Sequence, residues 1–305
     1  MSKIDTKVKI KQLEFKNPVI TASGTFGYGI EFFEFYDVNE LGGIALKAVT
    51  PEPRFGNNTP RICETDSGML NAIGLANKGL DYFIDKIIPS LSKINTNIIA
   101  NIAGKTYEDY EKVADKLNGV KQINAVEVNI SCPNVKHGGI AFGQDPKTAA
   151  EVLKRVRKKY DGVMIAKLSP NVTDITEFAK VAQDQGMDAV SLINTLKGMK
   201  IDIHNFTPVL SNVTGGLSGP AIRPVAVRMV AECAKRVDIP IIGMGGIMTA
   251  EHAIEFILAG ASLVSIGTAN MVNPVAALEI KNGIENYLKE KGFSSIKEIT
   301  GKIKI

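Results

Sequence analysis

The sequence predicts a (β/α)8 TIM barrel, and three observations lead to this fold class. Eight short β-branched runs alternate with helical patterns along the chain. Several runs are almost continuously apolar, as expected of parallel strands covered on both faces. The 305 residues leave room for a barrel of about 250 residues with additional loops. A doubly wound sheet would normally show Gly-x-Gly-x-x-Gly after an early strand, and the sequence contains no such motif.

The eight strands fall at regular intervals, and they are predicted at residues 18–21, 43–48, 97–102, 125–130, 163–168, 189–193, 240–244 and 263–266. Residues 8–15 are predicted to form an N-terminal β-hairpin that closes the amino end of the barrel, opposite the carboxyl ends of the strands. The sequence shows no internal repeat, linker or low-complexity segment, so we expect a single domain over residues 1–305.

Helix signals separate the later strands. Asp145 and Pro146 provide a cap and a first-turn proline for a helix with apolar residues at helical spacing. Gly186 is predicted to close the next helix. Thr249 opens another helix that Gly260 ends, and a long helix follows Pro274.

Two intervals between strands are too long for a simple helix. Residues 50–77 and 195–222 are rich in Gly, Pro, Asn and Thr. Both follow a strand, so they are predicted as insertions at the C-terminal face of the barrel, where barrel enzymes carry their active sites.

Composition excludes several classes of function. A net charge of +4 with scattered lysines does not indicate a nucleic-acid surface. The three cysteines, Cys63, Cys132 and Cys233, are far apart, which argues against a disulfide framework, a zinc site or an iron–sulfur cluster. No histidine has a partner at metal-ligand spacing, so no metal is expected. The charged N-terminus and the lack of a long apolar run predict a cytoplasmic protein that does not enter a membrane.

Polar residues stand at nearly every predicted strand end. Lys47, Asn101, Lys167 and Asn194-Thr195 all occupy such positions. A single lysine at a strand end is usually just solvated. Polar residues at so many strand ends indicate a ligand pocket, because the core of a closed barrel is filled mainly by apolar side chains.

The last two strands indicate what the pocket binds. Gly245 and Gly246 follow the seventh strand, and Gly267 and Thr268 follow the eighth. Barrel proteins bind phosphate at this place, where glycines let backbone N–H groups approach an anion. The alternative interpretation is that these glycines only form tight turns, but their occurrence after both strands favours a phosphorylated cofactor. No carboxylate pair stands at the strand ends, which disfavours glycosidase chemistry.

Cys132 is the candidate for proton transfer. It lies in Asn129-Ile130-Ser131-Cys132-Pro133-Asn134, directly after the fourth apolar run. Pro133 cannot donate a backbone hydrogen bond, so the strand should end there with the thiol at the mouth of a loop. The alternative interpretation is an ordinary half-buried cysteine.

Together these motifs resemble the dihydroorotate dehydrogenases of class 1, which use cysteine as base. The most specific elements are residues 129–134 and Asn71-Ala72-Ile73-Gly74-Leu75. The stretch 216–224 resembles class 1B more than class 1A. In class 1B, a barrel carrying FMN pairs with an electron-transfer subunit carrying FAD and a 2Fe-2S cluster, and a heterotetramer with two copies of each subunit is expected.

The resemblance implies a role for each site residue. Those expected to bind FMN are Ser23, Lys47, Ala48, Asn101, Asn129, Lys167, Ile193, Gly219, Gly245, Gly246, Gly267 and Thr268. Those expected to bind dihydroorotate are Lys47, Asn71, Ala72, Ile73, Gly74, Leu75, Asn129, Asn194 and Thr195. Amides suit the donor and acceptor edge of a pyrimidine ring, and a lysine suits its carboxylate.

The implied reaction is an oxidation of dihydroorotate to orotate in pyrimidine (UMP) biosynthesis. Cys132 would remove a proton from C5 while a hydride leaves C6 for FMN, and the partner subunit would pass electrons to NAD. Residues 135–139 are predicted to form a lid. The alternatives are a fumarate-linked class 1A enzyme, a barrel similar to dihydropyrimidine dehydrogenase or to the dihydrouridine synthases, and a non-enzymatic barrel that binds a phosphate ligand.

Overall fold

The computed structural model describes residues 4–131, 136–137 and 140–304. Its centre is a closed barrel of eight parallel strands in the circular order β1 to β8. The barrel strands are β1 (Val19–Thr21), β2 (Gly43–Ala45), β3 (Asn97–Ile102), β4 (Ala125–Asn129), β5 (Val163–Lys167), β6 (Ala189–Leu192), β7 (Ile241–Met244) and β8 (Leu263–Ile266). All eight predicted strands are confirmed, with ends that differ by at most three residues.

Helices surround the barrel and bury one face each. The α-helices are Gly79–Tyr82, Ile88–Ser90, Tyr107–Leu117, Pro146–Arg157, Ile175–Asp184, Arg223–Ala234, Ala250–Ala259, Ala269–Val272 and Ala276–Glu290, with a π-helical turn at Phe83–Ile87. Short 3-10 helices lie at Ile30–Glu34, Val38–Glu40, Leu91–Lys93, Pro220–Ile222 and Ile296–Glu298. The β1–β2 connection therefore carries 3-10 turns where a regular barrel would place an α-helix.

The predicted helix boundaries are confirmed. The Asp145 carboxylate accepts a hydrogen bond from the Thr148 backbone N–H and caps the helix that Pro146 begins. The Thr249 side chain caps the helix that ends at Gly260. Each cap satisfies a backbone donor that the first helical turn leaves without an internal partner.

The N-terminal hairpin covers the amino end of the barrel, as predicted. Val8–Ile10 pairs with Leu13–Phe15, and Phe15 is fully buried. The Asn97 amide, at the start of β3, donates to the Glu14 carbonyl across 2.9 Å. Burial of a phenylalanine side chain contributes about 1.5–3 kcal/mol, which stabilises the hairpin against this end of the core.

The two long insertions meet at the opposite, carboxyl end. They form one four-stranded antiparallel sheet from Leu196–Gly198, Gly215–Ser218, Gly68–Asn71 and Ile62–Thr65, in that order. A further hairpin pairs Ile201–Asp202 with Thr207–Pro208. The sheet stands beside the strand ends and supplies one wall of the cavity described next.

Candidate active site

A cavity of about 670 Å³ opens at the carboxyl ends of the barrel strands. Its walls come from the strand ends and from the antiparallel sheet of the two insertions. The cations Lys47, Arg61, Lys167 and Lys197 line it, and none of the described lining residues is a carboxylate. The cavity is therefore suited to an anionic ligand.

Glycine turns form one end of this cavity. Gly246 has φ of 73°, and a Cβ atom built there would lie 2.6 Å from the Gly219 carbonyl oxygen and 2.9 Å from the Arg223 Cβ. Only glycine fits that position. Gly267 lines the cavity too, and the nearest atom to a Cβ built there is the Ala22 Cβ at 3.5 Å. Gly246 therefore permits close packing of the β7 turn against Gly219 and Arg223. The backbone at Gly267, in contrast, is open to a ligand in the cavity.

A hydrogen bond between Ser218 and Thr268 links the antiparallel sheet to the end of β8 at this part of the cavity. The Thr268 hydroxyl donates to the Ser218 hydroxyl across 2.8 Å, which joins the β8 exit to the antiparallel sheet. The Ser265 hydroxyl also lines the cavity, and it is a buried group with no hydrogen-bond partner among the described residues. A buried hydroxyl of this kind usually bonds a ligand or an ordered water.

A buried ion pair lies at the floor. The Lys167 ammonium lies 3.7 Å from the Glu127 carboxylate, and both side chains are almost fully buried. Asn101 Nδ2 donates to the same carboxylate across 2.6 Å, and the Ser191 hydroxyl donates to its other oxygen across 2.7 Å. Lys167 lines the cavity, whereas Glu127 does not.

Two side-chain amides and a serine hydroxyl form a hydrogen-bond network at the end of β4. The Asn129 amide oxygen accepts hydrogen bonds from the Ser131 backbone N–H at 3.3 Å and from the Ser131 hydroxyl at 2.7 Å. Asn194 Nδ2 donates to the Ser131 hydroxyl across 2.5 Å. The Tyr110 hydroxyl donates to the Asn129 carbonyl, which anchors the strand end. Asn129 and Asn194 both line the cavity, so Ser131 orients two cavity amides at once.

Residues 71–75 form a further part of the cavity wall. The Asn57 side chain donates to the Ala72 carbonyl across 2.8 Å, and the Asn57 N–H donates to the Ile73 carbonyl. Lys47 follows β2 and lines the same cavity. Lys47 and the Asn71 amide therefore belong to the wall of one cavity.

The cavity unites most of the residues predicted from sequence. Lining it are Ser23, Lys47, Ala48, Asn71, Ala72, Ile73, Gly74, Leu75, Asn129, Lys167, Ile193, Asn194, Thr195, Gly245, Gly246, Gly267 and Thr268. Two predicted residues, Asn101 and Gly219, are not on its wall. Asn101 lies beneath the floor because its side chain points into the barrel toward Glu127, and Gly219 presents its carbonyl to Gly246.

The structure does not test the prediction that Cys132 is the catalytic residue. Cys132, Pro133 and Asn134 lie outside the described residues, as do Val135, Gly138 and Gly139 of the predicted lid. Within that segment, Lys136–His137 pairs with Ile140–Ala141 in a short antiparallel ladder. Ser131, the last residue described before the gap, lies at the cavity amides.

Sequence reasoning did not identify Glu127, Ser191 or Ser265. A signal existed for Glu127, because it is a single carboxylate within the apolar run Ala125–Asn129. Such a residue is costly to bury without partners, which indicates a polar group inside the barrel. Ser191 and Ser265 carry no comparable signal, since serine is common within strands of any role.

The described residues show neither a metal-binding cluster nor a membrane-spanning helix. Across the described ranges, no cluster of three or more His, Cys, Asp or Glu side chains is arranged to hold a metal ion. In the same part of the chain, every helix falls short of the length and apolar character that a bilayer crossing needs.

The fold and cavity define a (β/α)8-barrel protein with a cationic, amide-rich ligand site at the carboxyl ends of its strands. The chain belongs to the dihydroorotate dehydrogenase family, whose model matches residues 5–288.

Full-length relatives agree with this membership. The chain is 54% identical over 301 residues to the protein named dihydroorotate dehydrogenase B (NAD(+)), catalytic subunit, of Bacteroides thetaiotaomicron, covering 99% of each chain. Proteins of the same name from Alkaliphilus metalliredigens and Desulforamulus reducens are 55% and 56% identical. These alignments cover 99% of this chain and 100% of the first protein, and 98% of each chain for the second.

Proposed function

We propose that this chain oxidises dihydroorotate to orotate, as the FMN-binding catalytic subunit of an NAD-linked enzyme of pyrimidine biosynthesis. One observation carries the proposal: a single cavity joins the β7 and β8 glycine turns to Lys47 and residues 71–75. A phosphate-bearing cofactor and a carboxylate-bearing substrate can therefore meet in one space.

The residues present fit FMN on structural grounds. Gly245, Gly246 and Gly267 all line the cavity, and the uncrowded backbone at Gly267 leaves space for a phosphate beside it. The Ser265 hydroxyl is buried and without a partner among the described residues, so a ligand atom would satisfy it. Gly245, Gly246, Gly267 and Thr268 would hold the phosphate end, and Ser23, Ala48, Asn129, Lys167 and Ile193 would surround the ring.

Bound FMN would supply the hydride acceptor for dihydroorotate. The chain's own residues would do the remaining work. Lys47 would pair with the substrate carboxylate, while Asn71, Asn129 and Asn194 would bond the polar edge of the pyrimidine. Ordered amides hold the ring in one orientation, which reduces the entropic cost of reaching the transition state.

Cys132 is proposed as the general base that removes the C5 proton. It follows Ser131, whose hydroxyl bonds the cavity amide of Asn129, and this sequence position supports a thiol near the substrate. The Lys167 ammonium would stabilise negative charge that develops at the reduced flavin.

The partner and the final acceptor belong to the same proposal. The relatives are named as NAD(+)-linked catalytic subunits, which supports a separate electron-transfer subunit for this chain. We propose that this subunit carries FAD and a 2Fe-2S cluster and that the complex is a heterotetramer with two copies of each. Co-purification and mass measurement of the complex, with NAD and fumarate compared as acceptors, would test these points.

The decisive experiment is anaerobic reduction. Dihydroorotate added to the purified yellow protein should bleach the flavin absorbance, and Cys132→Ala should retain the flavin but bleach at least a hundredfold more slowly. Wild-type protein that binds FMN but does not bleach would remove dihydroorotate as the substrate. A colourless protein that takes up no FMN would overturn the flavoenzyme assignment altogether.

A further inference from the structure

Glu127 is the one carboxylate among the described residues within ion-pair distance of Lys167. It lies on β4 with its side chain inside the barrel, beneath the cavity floor. Both of its oxygens are occupied: Asn101 and Lys167 approach one oxygen, and the Ser191 hydroxyl donates to the other. Strands β3, β5 and β6 thus each contribute one group to a carboxylate on β4.

Such a site pairs a carboxylate with an ammonium group where both side chains are almost fully buried. An unpaired ion in a barrel interior is strongly unfavourable, whereas a hydrogen-bonded pair compensates much of that cost. Asn101 and Ser191 each donate a hydrogen bond to the carboxylate, so both of its oxygens have partners inside the barrel. The ammonium faces the cavity, and its counter-charge lies on the side away from the ligand.

We propose that Glu127 is a positioning residue that holds the Lys167 ammonium at the cavity floor and balances its charge toward the bound flavin. This inference rests on the proposed function, because it takes the flavin as the ligand above Lys167. Lys167 alone would favour the reduced, negatively charged flavin; the carboxylate behind it moderates that preference. The reduced cofactor then remains able to pass its electrons onward.

Glu127→Gln tests the balance because it removes the charge and keeps the shape. Asn101 Oδ1 is buried without a hydrogen-bond partner among the described residues, and it can accept a hydrogen bond from the amide of the new glutamine. We expect this variant to bind reduced flavin about tenfold more tightly relative to oxidised flavin. For a two-electron couple, tenfold corresponds to a rise of about 30 mV in midpoint potential.

A double-mutant cycle separates positioning from a general structural effect. In a Lys167→Met background, Glu127→Gln should raise the potential less than it does beside Lys167, because the ammonium that Glu127 positions is gone. Asp188→Asn is the matched control: Asp188 is also a largely buried carboxylate paired with Arg157 and Lys11, but it lies at the amino end of the barrel. It should leave the potential as in wild type.

Urea unfolding of the apo-protein gives a second readout that needs no flavin. Glu127→Gln leaves a buried ammonium without its counter-ion, so it should lower the unfolding midpoint, and adding Lys167→Met should restore part of the loss. If Glu127→Gln yields no folded protein, recovery of folding in the double variant supports the pairing, and no recovery overturns it.

The outcomes distinguish the two proposals. Wild-type protein that binds no flavin contradicts the proposed function, while the unfolding cycle still tests the ion pair. A wild-type potential in Glu127→Gln, a downward shift, or an equal upward shift with and without Lys167 would overturn the role of Glu127.

Discussion

The Ser131 hydroxyl lies 2.7 Å from the Asn129 amide oxygen, and it simultaneously accepts a hydrogen bond from Asn194. One small side chain thus sets the orientation of two amides on the cavity wall. An amide presents a hydrogen-bond donor on one side and an acceptor on the other. Its orientation therefore decides which groups of a ligand it can hydrogen-bond.

Ser131→Ala should therefore weaken substrate recognition. We expect KM for dihydroorotate to rise about tenfold, the equivalent of about 1.4 kcal/mol, because the Asn129 and Asn194 amides lose their shared partner. Steady-state kinetics would measure this. Ser90→Ala, which removes a hydroxyl bonded to Ile87 within its own helical segment, is the control and should leave KM unchanged. Equal KM values in all three proteins would refute the orienting role.

Gly246→Ala should weaken FMN binding. The new methyl group would collide with the Gly219 carbonyl and with Arg223, in addition to the strain of a positive φ. Gly119→Ala is the matched control, since Gly119 also has a positive φ of 78° but has no neighbouring atom within 4 Å of a built Cβ. Both should lose about 1 kcal/mol of stability from strain. Fluorescence titration should show at least a tenfold loss of FMN affinity in Gly246→Ala alone.

Lys47→Ala should weaken the binding of ligands that carry a carboxylate and leave the binding of other ligands unchanged. A charged hydrogen bond is worth about 1.5–3 kcal/mol, so binding of orotate should weaken about tenfold or more. Uracil has no carboxylate and should bind as it does to wild type. Lys180→Ala serves as control and should leave both affinities unchanged, because Lys180 is a surface lysine paired with Asp184 outside the cavity. Competition assays in which Lys47→Ala weakens both ligands equally would exclude the proposed pairing.

The cysteines should differ sharply in reactivity. Burial raises the pKa of the Cys233 thiol to about 12, so it stays protonated and unreactive at neutral pH. Iodoacetamide applied to native Cys63→Ser protein should therefore leave Cys233 unmodified, and modification should appear only after unfolding in urea. Peptide mass mapping would check this. Alkylation of Cys233 in the native protein would show that the barrel exterior opens at that helix.

Activity should rise with pH if Cys132 is the base. A free thiol ionises near pH ~8.5, and only the thiolate accepts a proton. The rate of flavin reduction by dihydroorotate should climb through that range, and Cys132→Ser should lose about a hundredfold or more at neutral pH. Stopped-flow measurement under anaerobic conditions isolates this step. A rate that is flat from acid to alkaline pH, with chemistry rate-limiting, contradicts a cysteine base.

Local patterns were sufficient to predict much of the fold. The apolar runs of the strands and the caps at Asp145 and Thr249 depend on neighbours within a few residues, and the structure confirms them. The strand-end residues could also be predicted, because parallel strands in a barrel bring all their carboxyl ends to one face. That single geometric rule assembles residues from 23 to 268 around one cavity.

The sheet formed by the insertions could not be predicted in this way. Gly216 pairs with Asn71 across a separation of 145 residues, and nothing local in either segment specifies that partner. Pairing of this kind depends on where the barrel places the two insertions, so only the tertiary structure reveals it.

The sequence by itself determined the barrel, the ends of its strands and most of the cavity wall, because these follow from local periodicity and a common strand direction. The tertiary structure decided which side chains meet inside the barrel. Glu127 and Lys167 are 40 residues apart in the chain and 3.7 Å apart in space, and Asn101 turns toward Glu127 beneath the cavity floor. The register between neighbouring strands sets these contacts, and register is a property of the closed sheet as a whole.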